Sequence, residues 1–205
     1  MKFNIAVLVG LSIAPLACGG SNTASIGNQG LTMTVDTPRT EWIDSALSAE
    51  DAMRRFRADI PAPVTQYSDG ASSRDALVRK FVDNVAKQDT VSLARLAVSR
   101  GEFAYLYYPN HPQSRPPYEL TPQLMWFQMT ANSDKGLRRL LRDFGGQQLP
   151  VNYSCADSAE IQNGNRIWTK CVVETGADVK KRVALFSAIL ERQGTYKFLS
   201  YTNSL

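Results

Sequence analysis

Three cysteines and a single histidine are the residues of this chain whose types promise chemistry: Cys18, Cys155, Cys171 and His111. Cys155 and Cys171 flank the segment Glu160-Ile161-Gln162-Asn163-Gly164-Asn165-Arg166, in which Asn-Gly is a strong hairpin signal. A two-residue turn at Asn163-Gly164 sets Cys155 opposite residue 172, and a single bulge moves it opposite Cys171. The arrangement predicts a disulfide across the hairpin, against the alternatives of two buried thiols or a metal pair. A metal centre is short of ligands, because His111 is the sole histidine and no further cysteine is at hand. His111 lies in Tyr108-Pro109-Asn110-His111-Pro112 with no carboxylate nearby, which reads as a solvent-exposed loop residue. Ser154 sits in no nucleophile motif, and the chain has no Gly-rich phosphate loop, HExxH or CxxC. Among the acids, Glu119 and Asp143 carry no pattern that separates them from surface charges. No catalytic set, metal or cofactor is expected.

Cys18 has a different setting. Lys2 precedes the apolar run from Ile5 to Ala14, which is shorter than the roughly 20 residues a transmembrane helix needs and fits an export signal. Cleavage after Ala14 would leave Pro15 first, and cleavage after Ala17 would put Pro15 where a small residue is wanted. The remaining site, Leu16-Ala17-Cys18, resembles the lipobox of bacterial lipoproteins, with Pro15 standing where that motif usually has Leu. The resemblance implies that residues 1–17 are removed and that Cys18 becomes a diacylglycerol-linked N-terminus. It places the chain in the cell envelope, lipid-anchored to a bacterial membrane. Gly19-Gly20-Ser21 after the cysteine resembles the outer-membrane-directed pattern, which in a Gram-negative cell means the periplasmic face of that membrane. With Cys18 set aside, an even cysteine pair remains in an oxidising compartment.

A second set of side chains could surround a ligand. Tyr105 and Tyr107, together with Tyr108, form an aromatic run, with Trp126, Trp168, Phe186 and Tyr201 further along the chain. Two readings are open: a cavity lining with phenols aimed at a polar group, or ordinary core packing.

Composition narrows the classes. The 205 residues suit one domain with appendages, and 43% hydrophobic with 20% charged residues is ordinary globular usage. The net charge of +4 falls by one when Lys2 leaves with the signal, a weak basic excess. Arg138, Arg139 and Arg142 form one basic cluster, and Lys180, Lys181 and Arg182 another. Neither is interleaved with aromatics as nucleic-acid surfaces are, so no nucleic-acid partner is expected. They read as solvated faces, with contact to anionic lipid or peptidoglycan as the alternative.

The elements that must position these residues follow from punctuation and period. Residues 18–46, rich in Ser, Asn, Thr and Gly, read as a flexible tether. Residues 47–71 hold a short helix, started at Ser48-x-x-Asp51, and a loop. A domain is expected over 72–205. Ser72-x-x-Asp75 opens a helix that runs to about Lys87, and Thr90 caps a shorter one with Leu93, Leu96 and Ala97 inward. Residues 103–108 read as a strand and 109–119 as a proline-rich loop. Thr121-Pro122 starts a long helix, with a kink or restart at Asn132-Ser133-Asp134 and an end at Gly145-Gly146. Strand-like runs follow at 148–160, 166–175, 180–192 and 195–203, turning at Asn163-Gly164, Gly176-Ala177-Asp178 and Gln193-Gly194. The last turn pairs Phe186 with Tyr201 and Leu190 with Lys197. In the run 180–192, Leu185 and Ile189 point to one face and Phe186 and Leu190 to the other, so the sheet must be covered twice. Helices can cover one face; curvature, a partner subunit or a lid must cover the other.

This order, helix, helix, strand, helix and then four antiparallel strands in an α+β chain, is similar to the NTF2-like superfamily of SnoaL-like and ketosteroid-isomerase-like proteins. The broken Thr121–Phe144 helix and the ending from Leu185 to Tyr201 carry the resemblance, which covers residues 72–205. It implies N-terminal helices packed on a curved antiparallel meander, a cavity at the cone mouth, and a homodimer through the outer sheet face. It does not imply a reaction. The expected function is a non-catalytic envelope module that binds a protein partner or small ligand. The alternative is an isomerase- or dehydratase-type enzyme, which would need a desolvated Asp or Glu within hydrogen-bond reach of a tyrosine in an enclosed pocket.

Overall fold

Side-chain caps decide where the helices begin. The computed structural model describes residues 47–176 and 181–203, so Cys18, the signal, the tether and the tip of the turn at 176–178 lie outside the described residues. Helix α1 (Ala49–Arg57) starts on Ser48, whose hydroxyl accepts from the Asp51 amide at 3.1 Å. Helix α2 (Arg74–Lys87) starts on Ser73, which accepts from Ala76 N, one residue later than the expected Ser72 box. Helix α3 (Thr90–Leu96) is capped by Asp89, which takes the Ser92 amide at 2.9 Å and the Ser92 hydroxyl at 2.7 Å. Thr90 is therefore the first residue inside this helix.

The expected strand at 103–108 is helical. Ser99 and Glu102 form a reciprocal capping box that launches the single turn α4 (Arg100–Glu102), and this turn widens into a π-helical turn over Phe103–Tyr107. The Tyr108 amide donates to Phe103 O at 2.8 Å. Phe103, Ala104, Leu106 and Tyr107 are all buried, which is not the alternation of a half-buried strand. The preference of aromatic residues for strands is a matter of surroundings, and here a cap placed just upstream overrides it.

Helix α5 (Pro122–Phe144) begins as expected, with Thr121 capping and proline in the first turn, and it runs unbroken through Asn132, Ser133 and Asp134. Ser133 does not turn back on its own helix; its hydroxyl accepts the amide of Tyr201 at 3.0 Å. Gly145 caps the end.

The sheet region is more divided than a four-stranded meander. Its strands are β1 (Tyr153–Ser154), β2 (Glu160–Gln162), β3 (Asn165–Trp168), β4 (Val172–Thr175), β5 (Lys181–Val183), β6 (Ile189–Arg192) and β7 (Thr195–Phe198). All pairs are antiparallel, in two sheets with orders β1-β4-β5 and β2-β3-β6-β7. The long runs break because the chain changes sheet within them. The β2–β3 hairpin pairs Gln162 with Asn165 across Asn163-Gly164. Beyond it the register has slipped by one, with Ser154 opposite Val172, which brings Cys155 alongside Cys171. The two cysteines lie between the sheets, one after β1 and one before β4. At the other end, Leu190 pairs with Lys197 and Phe186 bridges to Tyr201. The outer edge of β7 is closed by backbone bonds from Ala71 and Val98 to Tyr196 and Phe198, which removes an open edge.

Both faces of the four-stranded sheet are covered by the chain itself. Ile189, Trp168 and Phe198 pack with α2, α3 and the second half of α5. Ile167 and Leu190 pack on the other side with Phe56 of α1, Phe103 to Tyr108, and Met125 of α5. The face that the sequence left to curvature, a partner subunit or a lid is thus occupied from within, and Phe186, expected there with Leu190, packs instead with Leu185 and Ile189. Phe56 and Tyr67, 2% and 3% exposed, carry segments ahead of Ser72 into the second core cluster.

Candidate functional site

The structure does not gather the six aromatic residues into one place. Phe186 and Tyr201 belong to the first core cluster, where Phe81 meets Phe186 at 5.7 Å, Phe198 at 5.5 Å and Tyr201 at 6.1 Å between ring centroids. Tyr107 and Trp126 belong to the second cluster, Trp126 lying 5.2 Å from Phe103. Tyr105 is half-buried beneath the Arg57 guanidinium, 4.2 Å away. Trp168 stacks on Tyr196 and is flanked by Arg74 at 4.8 Å and Arg166 at 5.3 Å. Edge-to-face and offset contacts of this kind add about 0.5–1.5 kcal/mol per pair beyond area burial.

The buried phenols are engaged with protein rather than aimed at a void. Tyr201 donates to Leu93 O at 2.7 Å, Tyr108 to Leu120 O at 2.8 Å, and Tyr67 to the Asn165 side chain at 2.9 Å. Burial raises the Tyr201 phenol well above its ordinary range. Burial, then the Glu102 charge, does the same for Tyr67. Burial, with a smaller push from Glu160, holds Tyr107 at about 12.

A buried ion pair went unnoticed in the sequence. Glu102 and Lys197 are 1% and 2% exposed, and Lys197 Nζ donates to both carboxylate oxygens, at 2.8 and 3.1 Å. The same carboxylate accepts the Ser68 amide and the Ser99 amide, each at 2.7 Å. Charges taken out of water persist only when paired and fully hydrogen-bonded, and this pair meets that condition. Asn165 continues the polar layer by donating to Leu106 O at 2.7 Å. Two signals for it were present in the sequence: the Ser99-x-x-Glu102 capping box, and the pairing of Lys197 with Leu190 on a face that has to be apolar.

Two concavities lie near these groups. An open groove of about 440 Å³ runs between α3 and β7, lined by Thr90, Val91, Ala94, Arg95 and Ala97 with Ser68, Ser99 and Lys197 at its base. A second hollow of about 470 Å³ lies between the starts of α1 and α5, bounded by Tyr108, Arg115 and Glu119. None of the six aromatic candidates lines either one.

His111 is half-buried rather than exposed. Its Nδ1 accepts the Gln113 amide at 3.1 Å, which puts the neutral ring's proton on Nε2, 3.3 Å from the Tyr107 hydroxyl. Burial lowers its pKa. Asp143 is paired with Arg142 at the surface. The sulfurs of Cys155 and Cys171 stand at disulfide distance, 2.04 Å. Among the described residues no group of three or more His, Cys, Asp or Glu side chains converges to hold a metal ion.

The fold and these groups define an α+β domain with a filled interior and a buried charge pair beneath an open groove. No family model, curated protein or solved structure matches the chain.

Proposed function

We propose that this chain is a lipid-anchored bacterial envelope protein whose NTF2-like domain acts as a non-catalytic module for a protein partner or small ligand. The observation that carries the reading is the filled interior. Phe81, Phe186, Phe198 and Tyr201, at most 2% exposed, occupy the space between α2 and the sheet, where the resemblance to NTF2-like proteins would put a cavity. Recognition is then left to outer surfaces such as the groove over Lys197. The anchor rests on Leu16-Ala17-Cys18 and the tether behind it.

The anchor is tested by growth with a labelled fatty acid. Label should enter the chain and be lost in Cys18→Ser; a wild-type chain that takes up no label would overturn the anchor. The enzyme alternative has one specific candidate, the desolvated carboxylate of Glu102. Its lone pairs are held by Lys197, Ser68 and Ser99, and Tyr67 donates to Asn165 instead. Hydrogen–deuterium exchange into enolisable ketones, catalysed by the chain and abolished in Glu102→Gln, would favour the enzyme over the module.

A further inference from the structure

Helix α5 buries one side and leaves the other free. At about 100° per residue, Leu124, Phe127, Gln128, Ala131, Lys135, Arg138, Arg139 and Arg142 fall within one arc roughly 120° wide. The arc changes character along the helix. Its first part is apolar and open, Leu124 being 44% and Phe127 66% exposed. Its second part is cationic: Lys135, Arg138, Arg139 and Arg142, with Asn203, surround a shallow basin of about 440 Å³. Lys135 and Arg138 have no ion-pair partner among the described residues, Arg139 donates to Asn203 O, and Arg142 pairs with Asp143. Asp134 and Asp143 flank the arc and do not enter it.

We infer that the outer face of α5 lies on an anionic phospholipid surface, with phosphate headgroups in the cationic basin and Leu124 and Phe127 entering the headgroup–acyl boundary. A free phosphate or a polyanion would use the cations and leave the apolar residues in water; an anionic lipid surface takes both. The 23 residues of α5 span about 35 Å. No described helix is long and apolar enough to cross a membrane. The proposal does not depend on the lipid at Cys18, although a tethered domain would meet such a surface continually.

The test uses the chain from Gly19 onward, which keeps the whole compact unit and carries neither signal nor lipid. Flotation with vesicles of phosphatidylglycerol and phosphatidylcholine should capture it, and vesicles of phosphatidylcholine alone should capture it at least about tenfold less, since each cation near an anionic surface adds to binding. Lys135→Gln/Arg138→Gln/Arg142→Gln, which leaves the Arg139 contact in place, should lose the preference. Phe127→Trp in the otherwise unchanged chain should shift its emission to the blue on the anionic vesicles. Equal capture by both vesicle types, unaltered capture of the triple variant, or an unshifted Phe127→Trp emission would overturn the assignment and point to an acidic protein as the occupant. Because no lipidated residue is present, a failure here leaves the anchor at Cys18 to its own test.

Discussion

Lys197 of β7 donates to both carboxylate oxygens of Glu102 at the end of α4, joining residues 95 positions apart in a contact almost closed to water. The pair ties the last strand to the turn from which the buried π-helical segment grows. Removing one member strands a buried charge, which costs about 3–5 kcal/mol. Lys197→Met should therefore lower unfolding free energy by about that amount, while Glu102→Gln/Lys197→Met should lose clearly less than the two single variants together. Urea denaturation of the four chains closes the cycle; strict additivity would show that the two charges do not interact.

Gly136 lies in the interior of α5, where glycine is about 1 kcal/mol worse than alanine. Its position is explained by what crosses it. A Cβ there would stand 2.5 Å from Thr202 O and 2.7 Å from Thr202 C, closer than real contacts allow. Gly136→Ala should thus destabilise the protein by about 1–3 kcal/mol in spite of its better helix propensity. A melting temperature that rises would refute the close approach.

The Cys155–Cys171 bond would close a loop with a separation of 16 residues at the junction of the two sheets. A loop of that size constrains the unfolded chain by roughly 3 kcal/mol. Alkylation of the folded protein without reductant should leave both thiols unmodified by mass, and Cys155→Ala/Cys171→Ala should lower stability by about 3 kcal/mol. Two alkylated cysteines in the folded chain would show that the bond does not form.

His111 makes stability depend on pH. Burial lowers its folded pKa below the ordinary value of 6.5, so the unfolded chain takes up a proton first as the medium is acidified. The His111 contribution is complete above the ordinary value and is lost as pH falls from there through the folded pKa. Protonation would also set an N–H on Nδ1 against the Gln113 amide that it now accepts. His111→Gln should flatten the stability profile across this window. An unchanged profile would place the acid sensitivity elsewhere.

Much of this structure was legible along the chain because local groups settle it. Ser48, Thr121 and the Asn163-Gly164 turn bind backbone within a few residues of themselves, so their sequence signals survive folding. The pairing of Leu190 with Lys197 followed in the same way from the tight turn at Gln193-Gly194. The strand expected at 103–108 failed although Ser99-x-x-Glu102 stood just before it, because the aromatic composition of Phe103 to Tyr108 suggested strand while the cap favoured helix.

What only the tertiary structure decided is where distant surfaces meet. The sequence required a second cover for Leu190 but could not name it; α1 and the α4 segment supply it, through Phe56 and Phe103. Nor could spacing show that Glu102 neutralises Lys197, that Ser133 holds Tyr201 N, or that the strand runs divide into two sheets around the cysteines. Periodicity reports which side of an element is apolar. It does not report the partner, because burial energy is non-directional and is satisfied by whichever surface the whole chain brings into contact.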